Sequence, residues 1–184
     1  MSELKQVIVE RRSVKQISGR KIDRSLVEEI VELAAFAPFH SKVEPWQVYV
    51  IQDAKQKEKL VRAVTFSRND GTTFEQVEEM LERKFLTAPV ILIVTSALFQ
   101  DSKKDFESVA ATSAFIQNLQ LVAWESGIGT IWRTPKFLFQ QAFCEALQIG
   151  EEEIVMGILP LTFLPDDKPD VKTRRKLSEY LHEL

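Results

Sequence analysis

Residues 89–132 read PVILIVTSALFQDSKKDFESVAATSAFIQNLQLVAWESGIGTIW, and this stretch settles the architecture. Pro89 introduces Val90, Ile91, Leu92, Ile93 and Val94, an unbroken apolar run. A strand with one face in water alternates apolar and polar side chains, so an unbroken run predicts a strand covered on both faces, at the centre of a sheet. Residues 105–125 are apolar nearly all round at helical spacing, which a globular chain tolerates only where other elements or another subunit surround the helix. Gly127 can serve as its C-terminal cap, because glycine enters the left-handed region without a steric penalty. Residues 129–132 then read as a short strand.

Working outward, Trp46, Gln47, Val48, Tyr49, Val50 and Ile51 form a β-prone run of strand length, and residues 154–163 form another. Helices fill the spaces between. Leu4, Val7 and Ile8 predict a short amphipathic helix at the start of the chain. Leu26, Ile30, Leu33 and Ala34 mark a second, capped by Asp23 or Ser25, with Ser25 and Glu28 spaced as a capping box. Asp53 caps a third helix carrying Leu60, Val61 and Val64. After the turn at Asn69, Asp70 and Gly71, a fourth carries Phe74, Val77, Leu81 and Phe85, and both read as surface helices. A further helix near 138–147 is stopped by Gly150. The irregular order of helices and strands predicts an α+β fold rather than regular βαβ alternation. With no internal repeat and no dividing linker, residues 1–184 are expected to form one domain, with 165–184 a polar C-terminal arm.

Composition excludes several functions. With 24 Lys and Arg against 27 Asp and Glu, the formal charge is −3, so no global attraction draws the chain to nucleic acid or to an anionic membrane. The longest uncharged stretch, 108–124, is interrupted by polar residues and falls short of the roughly 20 apolar residues that span a bilayer. One cysteine, Cys144, cannot close an intrachain disulfide, and the first residues lack a signal-peptide core, so a cytoplasmic protein is expected. Two histidines, His40 and His182, without H-E-x-x-H, a cysteine pair or G-x-S-x-G, leave zinc and serine hydrolases without their residues, and no metal site is expected. Gly127 and Gly129 do not complete a dinucleotide fingerprint. An enzyme of this composition takes its chemistry from a bound organic cofactor.

Four constellations could hold one. Arg11, Arg12, Ser13 and Lys15 crowd guanidinium, hydroxyl and ammonium groups together, a composition suited to a phosphate and equally to a solvated helix end. His40, Ser41, Lys42 and Glu44 stand in a loop bounded by Pro38 and Pro45, either a ligand loop or a plain connector. Gly129, Thr130, Ile131, Trp132 and Arg133 follow a Gly-rich turn, either a ligand approach or a tight turn with an edge tryptophan. Lys172 and Arg174 lie in the basic run KTRRK, a solvated run unless folding carries it to the same anion as the first cluster.

RRSVK, APFHSKVEPWQVYVI, ESGIGTIWRTP and GILPLTFLPDDKPDVKTRRKLSEY, in that order and spacing, resemble the flavin-dependent nitroreductase family over nearly the whole chain. The resemblance implies an α+β nitroreductase-like fold, a central and mostly antiparallel sheet flanked by helices, assembled as a homodimer with FMN in the interface. It also implies ping-pong hydride transfer from NADH or NADPH through FMN to a small-molecule electron acceptor such as a nitroaromatic or a quinone. Carried over residue by residue, Arg11, Arg12, Ser13 and Lys15 hold the FMN phosphate and ribityl chain, joined by Lys172 and Arg174. His40, Ser41 and Lys42 approach the flavin from the loop of the other subunit, Ile131, Trp132 and Arg133 line the ring system or its tail, and Gly129 and Thr130 give backbone contact. No side chain is assigned a catalytic role. The sequence departs from the family pattern at Lys15, where arginine is usual, and at Lys42 and Glu44, where asparagine and glutamine are usual. A specialised flavin reductase or dehalogenase on the same fold, and a non-catalytic flavin-binding scaffold, are the alternatives.

Overall fold

The computed structural model describes residues 2–40, 42–68, 70–167 and 169–183. Its frame is a four-stranded sheet of β1 (Trp46–Ile51), β2 (Val90–Ala97), β3 (Ile128–Thr130) and β4 (Glu153–Phe163), in the order β1-β2-β4-β3 with every pair antiparallel. The apolar run Val90 to Val94 is thus interior, as its composition requires. Period-two alternation sends Val90, Leu92 and Val94 to one face and Ile91 and Ile93 to the other, all fully buried.

Each face carries its own core. On the first, α2 (Arg24–Ala34) and α5 (Ser102–Glu125) cover the sheet with Val27, Ile30, Phe115, Ile116, Leu119 and Ala123. On the second, α3 (Ala54–Arg68), α4 (Phe74–Leu81) and α6 (Gln141–Leu147) contribute Leu60, Val61, Val64, Val77, Leu81 and Phe143. Both clusters are contiguous with β2 and β4, so the two middle strands unite the core. The first helix, α1 (Glu3–Glu10), has no buried residue and lies against α5.

Caps decide several boundaries. Asp53 Oδ1 accepts from Gln56 N at 2.8 Å and opens α3 as expected, and Thr73 forms a capping box with Gln76 at the start of α4. The capping box expected from Ser25 and Glu28 is not formed. Ser25 lies inside α2, and the Glu28 carboxylate pairs with Arg24 one turn earlier at 2.8 Å. The strand read to Trp132 ends at Thr130, because Trp132 turns aside onto β4. The helix read from 138 begins at Gln141, after a 3₁₀ turn, Lys136–Phe139, that follows Pro135. It stops at Gln148, which takes the left-handed conformation (φ 62°) two residues before the expected stop at Gly150, while Gly127 (φ 75°) closes the turn after α5.

The β2–β4 ladder carries one irregularity. Val94 faces Gly157 and Thr95 faces Val155, so Met156 is passed over as a β-bulge.

Candidate functional site

The basic turn leaves α1 at Arg11, whose ψ of 129° breaks the helix, and runs extended beside β3. Ser13 and Thr130 form a parallel bridge, and Val14 N donates to the Thr130 carbonyl at 3.0 Å. Thr130 is held from behind, where its Oγ1 accepts from the buried Gln120 of α5 at 3.2 Å. Gly129 admits this approach. A Cβ there would lie 2.6 Å from Val14 Cγ2, so the missing side chain makes room for buried Val14.

Extended backbone alternates its faces. Arg12, 6% exposed, and Val14 point inward, while Ser13 and Lys15 are exposed and Arg11 is half-buried on the same outward side. Arg12 therefore parts from its neighbours. Its Nε donates to the Asp170 carbonyl at 3.1 Å and its Nη1 to the Arg11 carbonyl at 2.5 Å. The first contact ties the C-terminal arm to the first turn of the chain.

The two basic clusters thereby meet. Burial pushes the Arg11 guanidinium below its ordinary value, and the charges of Arg12 and then Arg174 push it further. Among the described residues no carboxylate lies within ion-pair distance of Arg11, Arg12 or Arg174. Arg174 Nη1 reaches the Lys172 carbonyl at 3.4 Å, and both residues are exposed. Arg11 and Arg174, on the outward side and without an acid, make a site for an anion, while Arg12, placed with them by the sequence, faces inward.

Beyond Thr130, the Trp132 indole lies across β4, with Nε1 donating to the Met156 carbonyl at 2.8 Å. A Cβ at Gly157 would stand 2.1 Å from that nitrogen, so glycine is required there. Arg133 exchanges two backbone hydrogen bonds with Ile158, at 2.9 and 3.0 Å. Its Nε is buried and has no hydrogen-bond partner among the described residues. A buried donor left so costs about 1–3 kcal/mol, and a ligand oxygen beside it would relieve that cost.

The Pro-bounded loop stands elsewhere in this chain. Trp46 anchors it by stacking on Phe115 of α5 at 5.0 Å and meeting Phe39 edge-on at 5.9 Å. Lys42 takes the left-handed conformation (φ 58°), and Val43 N closes a turn on the His40 carbonyl at 3.1 Å. His40 is exposed and lines a cavity of about 260 Å³ with Val43, Pro45, Phe99, Lys104 and Ala111. Ser41 lies outside the described residues. Ala111 at this cavity and Gln120 at the basic turn are nine residues apart on α5, about 14 Å along its axis. Within one chain, then, the structure joins the first, third and fourth constellations and leaves the second apart.

Several large apolar side chains stand on the surface. Leu4 and Ile8 of α1, Phe36 (84% exposed), Phe106 of α5, and Val171, Leu177 and Tyr180 of the arm are all exposed. Along α5, residues 106, 110, 113, 117 and 121 form an exposed to half-buried stripe. Among the described residues no helix is long and apolar enough to cross a membrane, and no group of His, Cys, Asp or Glu is placed to hold a metal.

The nitroreductase family model matches residues 8–161, which hold the basic turn, the Pro-bounded loop and the Gly129–Arg133 segment. The chain belongs to the nitroreductase family. YfhC of Bacillus subtilis, provisionally named an NAD(P)H nitroreductase, is 29% identical over 100% of this chain and 95% of its own. The crystal structure of a nitroreductase-like family protein from Bacillus cereus superposes with a TM-score of 0.91 at 29% identity, over 100% of this chain and 97% of that one. A variant of NfnB, an FMN- and NADPH-dependent nitroreductase from Sphigopyxis sp. strain HMH, shares the fold at TM-score 0.78 and 17% identity, over 98% of each chain. The family match ends before Lys172 and Arg174, so their place beside the family's basic turn rests on the Arg12–Asp170 contact.

Three contributors escape a reading of the sequence. Val14 gives Gly129 its reason, Gln120 holds Thr130, and Gly157 admits Trp132. Each acts on a residue distant in sequence, so no local pattern marks it.

Proposed function

We propose that this member of the nitroreductase family is an FMN-dependent NAD(P)H oxidoreductase, working in the cytoplasm as a homodimer with FMN between its subunits. In this reading residues 1–184 form one FMN-binding unit whose arm, 165–184, completes the site. The observation that carries the reading is the Arg12–Asp170 contact, which brings the arm that holds Arg174 to the turn that holds Arg11, where among the described residues no carboxylate lies within ion-pair distance.

The residues present fit the cofactor. Arg11, Ser13, Lys15, Lys172 and Arg174 would hold the phosphate, with Arg supplying a bidentate fork and Lys a point charge. Arg133, whose buried Nε lacks a partner among the described residues, would donate to a flavin oxygen. Trp132, Ile131, Thr130 and the backbone at Gly129 would form the wall against which the cofactor lies. FMN, when bound, supplies hydride transfer between NAD(P)H and an oxidised acceptor such as a nitroaromatic or a quinone.

The chain's own residues bind and orient. His40 and Lys42 belong to the loop that stands apart from the basic turn, its cavity lined by Ala111 about 14 Å along α5 from Gln120, and would reach a flavin held by the partner, so the dimer joins what one chain keeps apart. The exposed apolar side chains of α1, α5 and the arm supply a surface for that contact.

The visible spectrum of the purified protein, taken before and after anaerobic NADH or NADPH, tests this. A flavin spectrum that bleaches on addition is expected. A flavin spectrum that persists would make the protein a scaffold, and a colourless protein that takes up no added FMN would overturn the reading.

A further inference from the structure

Arg12 is the least exposed charged side chain of the basic turn, and its polar contacts are peculiar. Both go to backbone carbonyls, Arg11 and Asp170, and among the described residues none goes to an acid. A guanidinium taken out of water without a counter-ion is costly to the fold. A protein that needed only a fastening here would avoid that cost with a neutral amide.

The placement gives the reason. The bridge of Ser13 to Thr130 fixes the face on which each residue of the turn lies, and that face turns Arg12 away from Ser13 and Lys15. Arg12 is thus held off the side where Arg11 and Arg174 gather. Its Nε contact falls on residue 170, just before Lys172 and Arg174. From there to Lys176 the arm has no regular secondary structure, and every residue is exposed. Among the described residues no other hydrogen bond ties the arm to the body.

We propose that Arg12 is a positioning residue: it latches residues 170–174 against the basic turn, so that Arg174 joins Arg11 at the cofactor phosphate, and touches no ligand itself. The inference rests on the functional reading above and adds to it that the phosphate site is assembled by the arm rather than preformed. Closure of the arm brings like charges together, so an anion favours the closed arm and its absence favours release. FMN, which carries a phosphate, should therefore fasten the arm, and riboflavin, which does not, should leave it loose.

The test combines trypsin and binding on the full-length protein. Trypsin cuts after Lys172, Arg174, Arg175 and Lys176, so cleavage there reports release of the arm. FMN is expected to slow this cleavage in the native protein and riboflavin to leave it unchanged. In Arg12→Ala and in Arg12→Lys, FMN should lose its protective effect, and its affinity should fall roughly tenfold to a hundredfold, while riboflavin binds as to the native protein. Arg12→Lys keeps the charge without the fork, so full rescue by lysine would assign Arg12 an electrostatic role and overturn the latch. A thermodynamic cycle with the combined variant Lys172→Gln, Arg174→Gln decides the rest. Once both cations of the arm are gone, Arg12→Ala should cost little more FMN affinity. Additive losses would place Arg12 at the phosphate itself and overturn the proposal. Equal losses for FMN and riboflavin would show that Arg12 merely supports the fold. Should Arg12→Ala not fold, Arg12→Lys and the native cleavage pattern carry the test alone. A native protein that takes up neither flavin refutes the functional reading instead, an outcome distinct from flavin binding that ignores Arg12.

Discussion

The indole nitrogen of Trp132 occupies the space in which a side chain at Gly157 would begin, 2.1 Å from the position of its Cβ. One strand thus gives up a side chain to seat an aromatic from another segment. Gly157→Ala should force the ring off β4 and break its hydrogen bond to the Met156 carbonyl, destabilising the protein by about 1–3 kcal/mol, the usual range for overpacking. Urea unfolding measures the loss. Trp132→Leu in the same chain should recover part of it, and a double variant no better than the sum of the singles would show that the clash is not with Trp132.

The anion site yields a second expectation. Arg11→Gln should weaken FMN binding by about 1.5–3 kcal/mol, the range for hydrogen bonds to charged groups. Riboflavin should bind the variant and the native protein alike, since it lacks the phosphate. Flavin fluorescence titration distinguishes the two, and an equal loss for riboflavin would remove Arg11 from the phosphate.

His40 separates a flavin platform from an enzyme with its own acid or base. Histidine is the side chain that changes charge near neutral pH, and His40 is exposed at the mouth of its cavity. His40→Gln should keep anaerobic flavin reduction by NAD(P)H within about tenfold, about 1.4 kcal/mol of barrier. Loss of a general acid or base costs more, roughly 10²–10⁴-fold. Stopped-flow reduction of the FMN-saturated variant slowed a thousandfold would make His40 catalytic.

Much of this was legible in the sequence, and the reason is locality. The apolar run at Val90 and the segment 105–125 declare their burial through composition, and β1 occupies the residues its pattern predicts. The turn at Arg11 is legible as a basic cluster, but the inward face of Arg12 depends on the bridge between Ser13 and Thr130, residues far apart in the chain. The early end of β3 depends likewise on Gly157. The start of α6 was missed because the 3₁₀ turn after Pro135 carries the same apolar spacing as a helix.

A fourth expectation concerns alkaline pH. Burial and then the hydrogen bond to Glu153 push the Tyr49 hydroxyl up to about 12. Glu153 also accepts from Thr95, and the Tyr49 oxygen stands 3.0 Å from its Oε1. A raised value means that the folded protein keeps a proton the unfolded chain releases near pH 10. The stabilisation is therefore complete below pH 10 and is lost as pH rises toward 12. Tyr49→Phe should flatten the stability loss in that window and abolish the phenolate absorbance step near pH 12. An unchanged absorbance titration would refute the assignment.

The passed-over residue in β4 is spare to the pairing of the strands but not to the wall beside them. Beyond the bulge, Val155 faces the second core and Glu153 meets Tyr49 and Thr95, whereas Leu159 and Leu161 face the first. Without Met156 the ladder would run on regularly from the Val94–Gly157 pair to the Thr95–Val155 pair, so Val155 and Glu153 would keep their faces. What the deletion would take is the carbonyl to which the Trp132 indole donates, and with it the extra local twist that a bulge gives its strand. Point substitutions at 156 leave that carbonyl in place, so the seat of the indole depends on the extra residue and not on its side chain.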